Sequence, residues 1–147
     1  MEINYIFRSK LVKRFSIENV FTNVTNEVSK TFNTISTFVP FPGTHPIKLL
    51  QNMIMAKNSQ RDINHITGDV HYTALVLNPK TTILTIHDLV TLKNSKGIKR
   101  FILKMLWFDL PIRKSKLVTV ISNQIANELS SLIPHAKPKI RIIYDPI

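Results

Sequence analysis

The chain has 147 residues, 44% hydrophobic and 20% charged, which is the length and composition of one ordinary α/β domain able to bury a core. It has no cysteine, which excludes a disulfide framework and a thiolate zinc site, and no apolar run near the ~20 residues that span a bilayer. Twenty lysines and arginines against nine carboxylates give a formal charge of +11, so an anionic ligand or a polyanionic surface is the expected kind of partner.

From the N-terminus, Glu2–Phe7 alternates apolar and polar residues as a strand does. Ser16 then stands as a capping residue before a helical stripe of Ile17, Val20, Phe21, Val24 and Val28. Residues 34–39 are β-branched and aromatic and predict a second strand, closed by the turn Pro40-Phe41-Pro42-Gly43 before a helix that Pro46 opens. Residues 62–67 read as a third strand, 69–77 as a short helix and 81–87 as a fourth strand. Residues 97–109 predict a helix stopped by Pro111. Residues 117–121 predict a fifth strand, Ser122 caps a helix carrying Ile125, Ala126, Leu129, Leu132 and Ile133 on one face, and residues 139–144 predict a sixth strand. Strands alternating with helices predict right-handed crossovers and a doubly wound, mostly parallel, Rossmann-like sheet with helices on both faces.

In such a fold the loops after the strands carry the site, here residues 8–15, 41–45, 68–72 and 87–92. His87 and Asp88 directly follow a buried-looking strand, where a histidine can donate to a hydroxyl or phosphate; capping of the next turn is the competing reading. His65, His71, His87 and Asp88 are competent metal ligands, but no pair has helical ligand spacing, so no metal and no cofactor is expected. Gly68 and Asp69 stand where a strand meets a helix and backbone N–H groups could face an anion. No GxGxxG, P-loop or GxSxG motif is present, which disfavours dinucleotide, P-loop and serine-hydrolase chemistry. Arg8, Lys10, Lys13 and Arg14 form a basic loop that either contacts an anion or is solvated surface. The basic clusters are dispersed, so binding of nucleic acid is a secondary reading. Lys96, Arg100, Leu103 and Trp107 share one helical face and are expected to meet an anionic membrane, with Ile98, Phe101, Ile102, Met105 and Phe108 docking the helix on the sheet.

The ordered segments Asp62-Ile63-Asn64-His65-Ile66-Thr67-Gly68-Asp69-Val70-His71-Tyr72, Thr85-Ile86-His87-Asp88-Leu89-Val90 and Val118-Thr119-Val120-Ile121-Ser122 resemble the glycosyltransferase family 4-like N-terminal domains of retaining GT-B enzymes. Ile142-Ile143-Tyr144-Asp145-Pro146, where such proteins cross into a second domain, and the opening from Tyr5 to Arg8 and Phe15 to Phe21 extend that resemblance over nearly the whole chain. The resemblance implies that residues 1–147 are a single acceptor-side domain, binding a glycan or lipid-linked sugar acceptor. The nucleotide-sugar donor would be held by a second domain whose motifs this sequence lacks, so the chain by itself is expected to be inactive. The resemblance makes His87 the catalytic-cleft histidine, orienting sugar and stabilising charge, with Arg8, Lys10, Gly68, Asp69, His71 and Asp88 lining the acceptor side. It departs from the family in having Arg8-Ser9-Lys10-Leu11 in place of a Gly-Gly loop. The opening Met1-Glu2-Ile3-Asn4 lacks the pattern of a secretion signal, so the expected location is the cytoplasm, with a peripheral association at the inner face of the membrane. The alternative to a transferase half is a non-catalytic basic module for nucleic acid or an anionic membrane.

Overall fold

A computed structural model describes residues 1–145. Six strands, β1 (Glu2–Phe7), β2 (Asn33–Phe38), β3 (Ile63–Ile66), β4 (Thr82–Ile86), β5 (Leu117–Val120) and β6 (Ile140–Ile142), form one sheet in the order β2-β1-β3-β4-β5-β6. Every neighbouring pair is parallel, so each connection is a crossover packed on a face of the sheet. The helices are α1 (Ser16–Val28), α2 (Pro46–Asn58), α3 (Val90–Asn94), α4 (Gly97–Leu103), α5 (Leu110–Arg113) and α6 (Asn123–Leu132). This is the expected Rossmann-like α/β architecture.

The direction of each crossover decides which face its helix covers. From β1 the chain steps outward to β2, and from β2 it returns past β1 to build β3 to β6 on the other side. The single outward step puts α1 on one face, where Ile17 and Phe21 pack on Ile3, Tyr5 and Phe7. The opposite face holds the main core, with Ile6, Ile66, Leu84, Ile86, Val118 and Val120 from the sheet and Ala56, Leu92, Ala126 and Leu129 from α2, α3 and α6. The strand order reverses between β1 and β3, and the loops after those strands must diverge there to open a crevice.

Several local expectations are corrected. Ser16 is the first residue of α1 and its side chain caps nothing; the N-cap position is Phe15, whose carbonyl accepts from Asn19 N–H at 2.9 Å. The segment after β3 starts its helix later than residue 69, because Asp69 has φ +59° and a left-handed residue cannot begin a right-handed turn; a 3₁₀ helix follows over His71–Val76. Pro111 does not stop its helix. The chain runs from α4 through a π-helical stretch, Lys104–Asp109, into α5, which contains Pro111. A proline in continuous α-helix presses its ring on the carbonyl four residues back, here that of Trp107; the wider π turn moves this carbonyl aside. Ser122 does cap α6, its hydroxyl accepting from Ile125 N–H at 3.2 Å. Lys139, in the last basic cluster, is turned inward and donates to the carbonyls of Ile112, Arg113 and Ser115 at 2.8–3.2 Å, tying off the end of α5.

Candidate functional site

The carboxyl ends of the strands open onto a cleft of about 680 Å³. Its wall is supplied by the loops after β1 (Arg8, Ser9), β2 (Phe41, Gly43), β3 (Asp69, His71) and β4 (His87, Asp88), with Trp107 behind them. It sits over the point where the strand order reverses. Of the residues singled out in the sequence, Arg8, Arg14, Asp69, His71, His87, Asp88, Leu103 and Trp107 line it, whereas Lys10 and Gly68 do not. Lys10 instead places its ammonium 4.4 Å over the ring of Phe38.

Arg8 holds the site together and leaves little for a ligand. It is 6% exposed, and its guanidinium donates to both carboxylate oxygens of Glu18 at 2.9 and 3.1 Å, to Asp69 Oδ2 at 2.6 Å and to the carbonyl of Arg14 at 2.6 Å. A planar fork with four filled donor directions is a structural clamp between the first loop, α1 and the third loop. Neither sequence reading of Arg8, anion contact or solvated charge, describes it. Arg8 and Arg14 face Asp69, Asp88 and Asp145 around the cleft, so the net charge of +11 is not concentrated there.

His87 continues the α1-facing side of β4 past the end of the strand, and its Nε2–H donates to the carbonyl of Thr67 at 2.8 Å. Among the described residues its Nδ1 has no hydrogen-bond partner. Phe21 meets the ring edge to face, at 6.1 Å between centroids. Gly68 makes the approach feasible, because a Cβ there would lie 2.8 Å from His87 Cδ2. Asp88 takes the capping role weighed for the pair, accepting from Val90 N–H at 3.0 Å.

His71 enters from the opposite side of the sheet. Its Nδ1–H donates to the Trp107 carbonyl at 2.7 Å, while the Trp107 indole N–H donates to the Asp69 carbonyl at 2.9 Å. These two bonds stitch the third loop to the π-helical turn. Trp107 also packs against Tyr72, and Leu103 rests on the main core, so the apolar half of the face expected to meet a membrane is turned inward, while Lys96 stays exposed. Arg100 of the same set donates to the Leu92 carbonyl at 2.9 Å. The opposite side of α4 is the open one: Ile98, Phe101 and Ile102 are 79, 64 and 47% exposed. Phe108 alone of the group expected to dock the helix is buried.

Sequence reasoning passed over His65 as a site component beyond its metal chemistry. It lies among Tyr5, Phe21 and His87, with Nε2 2.7 Å from Thr85 Oγ1, which is in turn 2.7 Å from Thr119 Oγ1. Burial, with a smaller push from His87, lowers its pKa from 6.5 to about 4. A folded-state value below the unfolded one means that the unfolded chain binds the proton more readily. Stability is then complete above pH 6.5 and is lost as the pH falls toward 4. His71, whose pKa burial also lowers, acts in the same direction. Acid titration of thermal stability is expected to show a loss on the order of 2 kcal/mol across that window, reduced in His65→Gln. A flat profile from pH 6.5 to 4 would show that His65 is freely solvated.

Fold and cleft together define a parallel α/β protein with an open cleft at the carboxyl edge of its sheet. The sequence matches no protein-family model and no curated protein. No helix among the described residues is long and apolar enough to cross a membrane.

Proposed function

We propose that this domain is the acceptor-side wall of a retaining GT-B glycosyltransferase, which moves a sugar from a nucleotide-sugar donor to a glycan or lipid-linked acceptor. The observation that carries the reading is the cleft over the β1/β3 switch point, with His87 projecting at its rim directly after β4. Its ligand-facing groups are imidazole nitrogens and balanced charges, which suit a polyhydroxylated, largely neutral ligand better than a polyanion. In this reading His87 orients the sugar, Gly68 gives its ring room, and Arg8 and Asp69 set the loop geometry. The nucleotide of the donor is held by a partner domain. Ligand-observed NMR with a panel of mono- and oligosaccharides is expected to detect binding that His87→Ala lowers at least tenfold with little change in melting temperature. Absence of binding by every glycan, together with salt-sensitive binding to duplex DNA, would replace this reading by a nucleic-acid module.

A peripheral membrane association is a second reading, favoured by the exposed side of α4. Ile98, Phe101 and Ile102 project there beside Lys96, Lys99 and Lys104, none of which has an ion-pair partner among the described residues. On the same side of the sheet, α2 exposes Ile47, Leu50 and Ile54 beside Lys48 and Lys57. Apolar groups between cations match the headgroup boundary of an anionic bilayer, and this would place the domain at the inner face of a cytoplasmic membrane. Sedimentation with phosphatidylglycerol vesicles is expected to recover the chain, and Ile98→Ser/Phe101→Ser to reduce recovery severalfold. Equal recovery with phosphatidylcholine alone, or no effect of the double substitution, would remove the reading.

A further inference from the structure

The π-helical turn at Lys104–Asp109 interrupts a helix on the main core side of the domain, and it faces the cleft through Trp107. In an α-helix the Trp107 carbonyl would accept from the N–H of residue 111. Position 111 is proline, which has none, and the hydrogen comes instead from His71 Nδ1 at 2.7 Å. A carbonyl oxygen only accepts, so this bond fixes the proton of a neutral His71 on Nδ1. Nε2 is left as a bare acceptor. It has no hydrogen-bond partner among the described residues, and its side chain, 5% exposed, lines the cleft. Free imidazole carries its proton mainly on the other nitrogen, so the arrangement is imposed by the fold.

We propose that His71 is the group that takes the hydrogen of a ligand hydroxyl in this cleft, through Nε2, and that Pro111 and the π turn position it by dedicating the Trp107 carbonyl to Nδ1. The ligand class is a polyol whose hydroxyl donates. Because this rests on the reading of the cleft as a sugar site, its test must separate the two.

His71 is the better placed of the two cleft histidines for this role. His87 is pinned through Nε2 to Thr67 and has its ring edge against Gly68. His71 is pinned at the opposite nitrogen and is held edge to face on Phe108 with ring centroids 5.3 Å apart, so it cannot rotate without losing both contacts. Burial favours the neutral ring over the opposing pulls of the Trp107 carbonyl, Asp69 and Asp88, and so lowers the pKa of His71, which keeps Nε2 unprotonated near neutral pH. The tautomer, the packing and the charge state all point to one function, acceptance.

Imidazole ¹⁵N NMR of the chain reads each step. The parent is expected to show His71 protonated at Nδ1 and bare at Nε2, and an oligosaccharide panel is expected to shift Nε2 of His71. His71→Asn retains a donor at the δ position for the Trp107 carbonyl and removes the ε acceptor; it is expected to keep the parent melting temperature within a few degrees and to lose binding tenfold or more. His71→Gln, which restores an acceptor near the ε position, is expected to recover part of it. Pro111→Ala supplies an N–H that competes for the Trp107 carbonyl and is expected to mix the tautomers of His71. A His71 protonated at Nε2 in the parent would overturn the inference and leave the sugar-cleft reading standing, as would undiminished binding by a folded His71→Asn. If the tautomer is as stated and no sugar binds, both the sugar-cleft reading and this role for His71 fall.

Discussion

Gly68→Ala is expected to cost about 2–4 kcal/mol of stability and to abolish ligand binding in the cleft. Two independent effects act at this position. The backbone has φ +145°, a region essentially closed to residues with a Cβ. The added methyl would also lie 2.8 Å from His87 Cδ2 and 3.1 Å from Ile17 Cδ1. Ile17 can turn its terminal methyl away, but the His87 ring is held by its bond to Thr67 and by Phe21, so relief must come from the ring leaving that bond. The substitution therefore damages the site more than the core. Thermal melts and the imidazole ¹⁵N spectrum check it together: a drop of roughly 5–15 °C with a displaced His87 resonance is the expected outcome. A variant that melts with the parent and keeps the His87 signal would show that the third loop has slack the structure does not suggest.

Arg8→Met is expected to destabilise the fold by about 3 kcal/mol, although methionine matches much of the stem and adds no clash. The loss comes from what is left behind: the carboxylates of Glu18 and Asp69 and the carbonyl of Arg14 lose a shared donor at one stroke. Asp69 is 58% exposed and finds water, so most of the cost falls on Glu18 and the Arg14 carbonyl. Arg8→Met/Glu18→Gln is then expected to recover about 1 kcal/mol relative to the single variant, measured by a double-mutant cycle in denaturant. A cost equal to that of Lys10→Met, whose exposed ammonium lies over the half-buried ring of Phe38, would mean that Arg8 is ordinary surface charge. Because Arg8 fixes the left-handed Asp69 that turns the chain into His71, glycan binding is expected to fall along with stability.

Chain order and local composition determined most of the scaffold. Five of the six strands fall within one residue of the sequence expectation, since runs such as Thr81 to Ile86 and Leu117 to Val120 are β-branched, apolar and bounded by loops. The sixth ends at Ile142, because a short edge strand pairs on one side only. Pro46 at the first turn of α2 and Ser122 at the cap of α6 were legible for the same reason: the determinant and its effect lie within one helical turn. The position of the cleft followed from strand order, and His71, His87 and Asp69 from their place after strands.

The tertiary structure alone decided what those residues do. Arg8 reads as one cation in a basic loop, and its clamp needs Glu18, 10 residues away, and Asp69, 61 away. The helix after residue 97 has large apolar side chains on both sides, so periodicity could not say which side faces the core; the π turn then adds a residue to the helical count, which rotates the following positions by roughly 100° and breaks any projection carried through it. Packing on the sheet made the choice already within α4: Leu103 and then Trp107 point inward and Ile98, Phe101 and Ile102 outward, the reverse of the expected orientation. The same turn sets the state of His71. Its proton is placed by a carbonyl 36 residues away that a proline leaves open, and no local pattern encodes a pairing between two groups that only the folded sheet brings together.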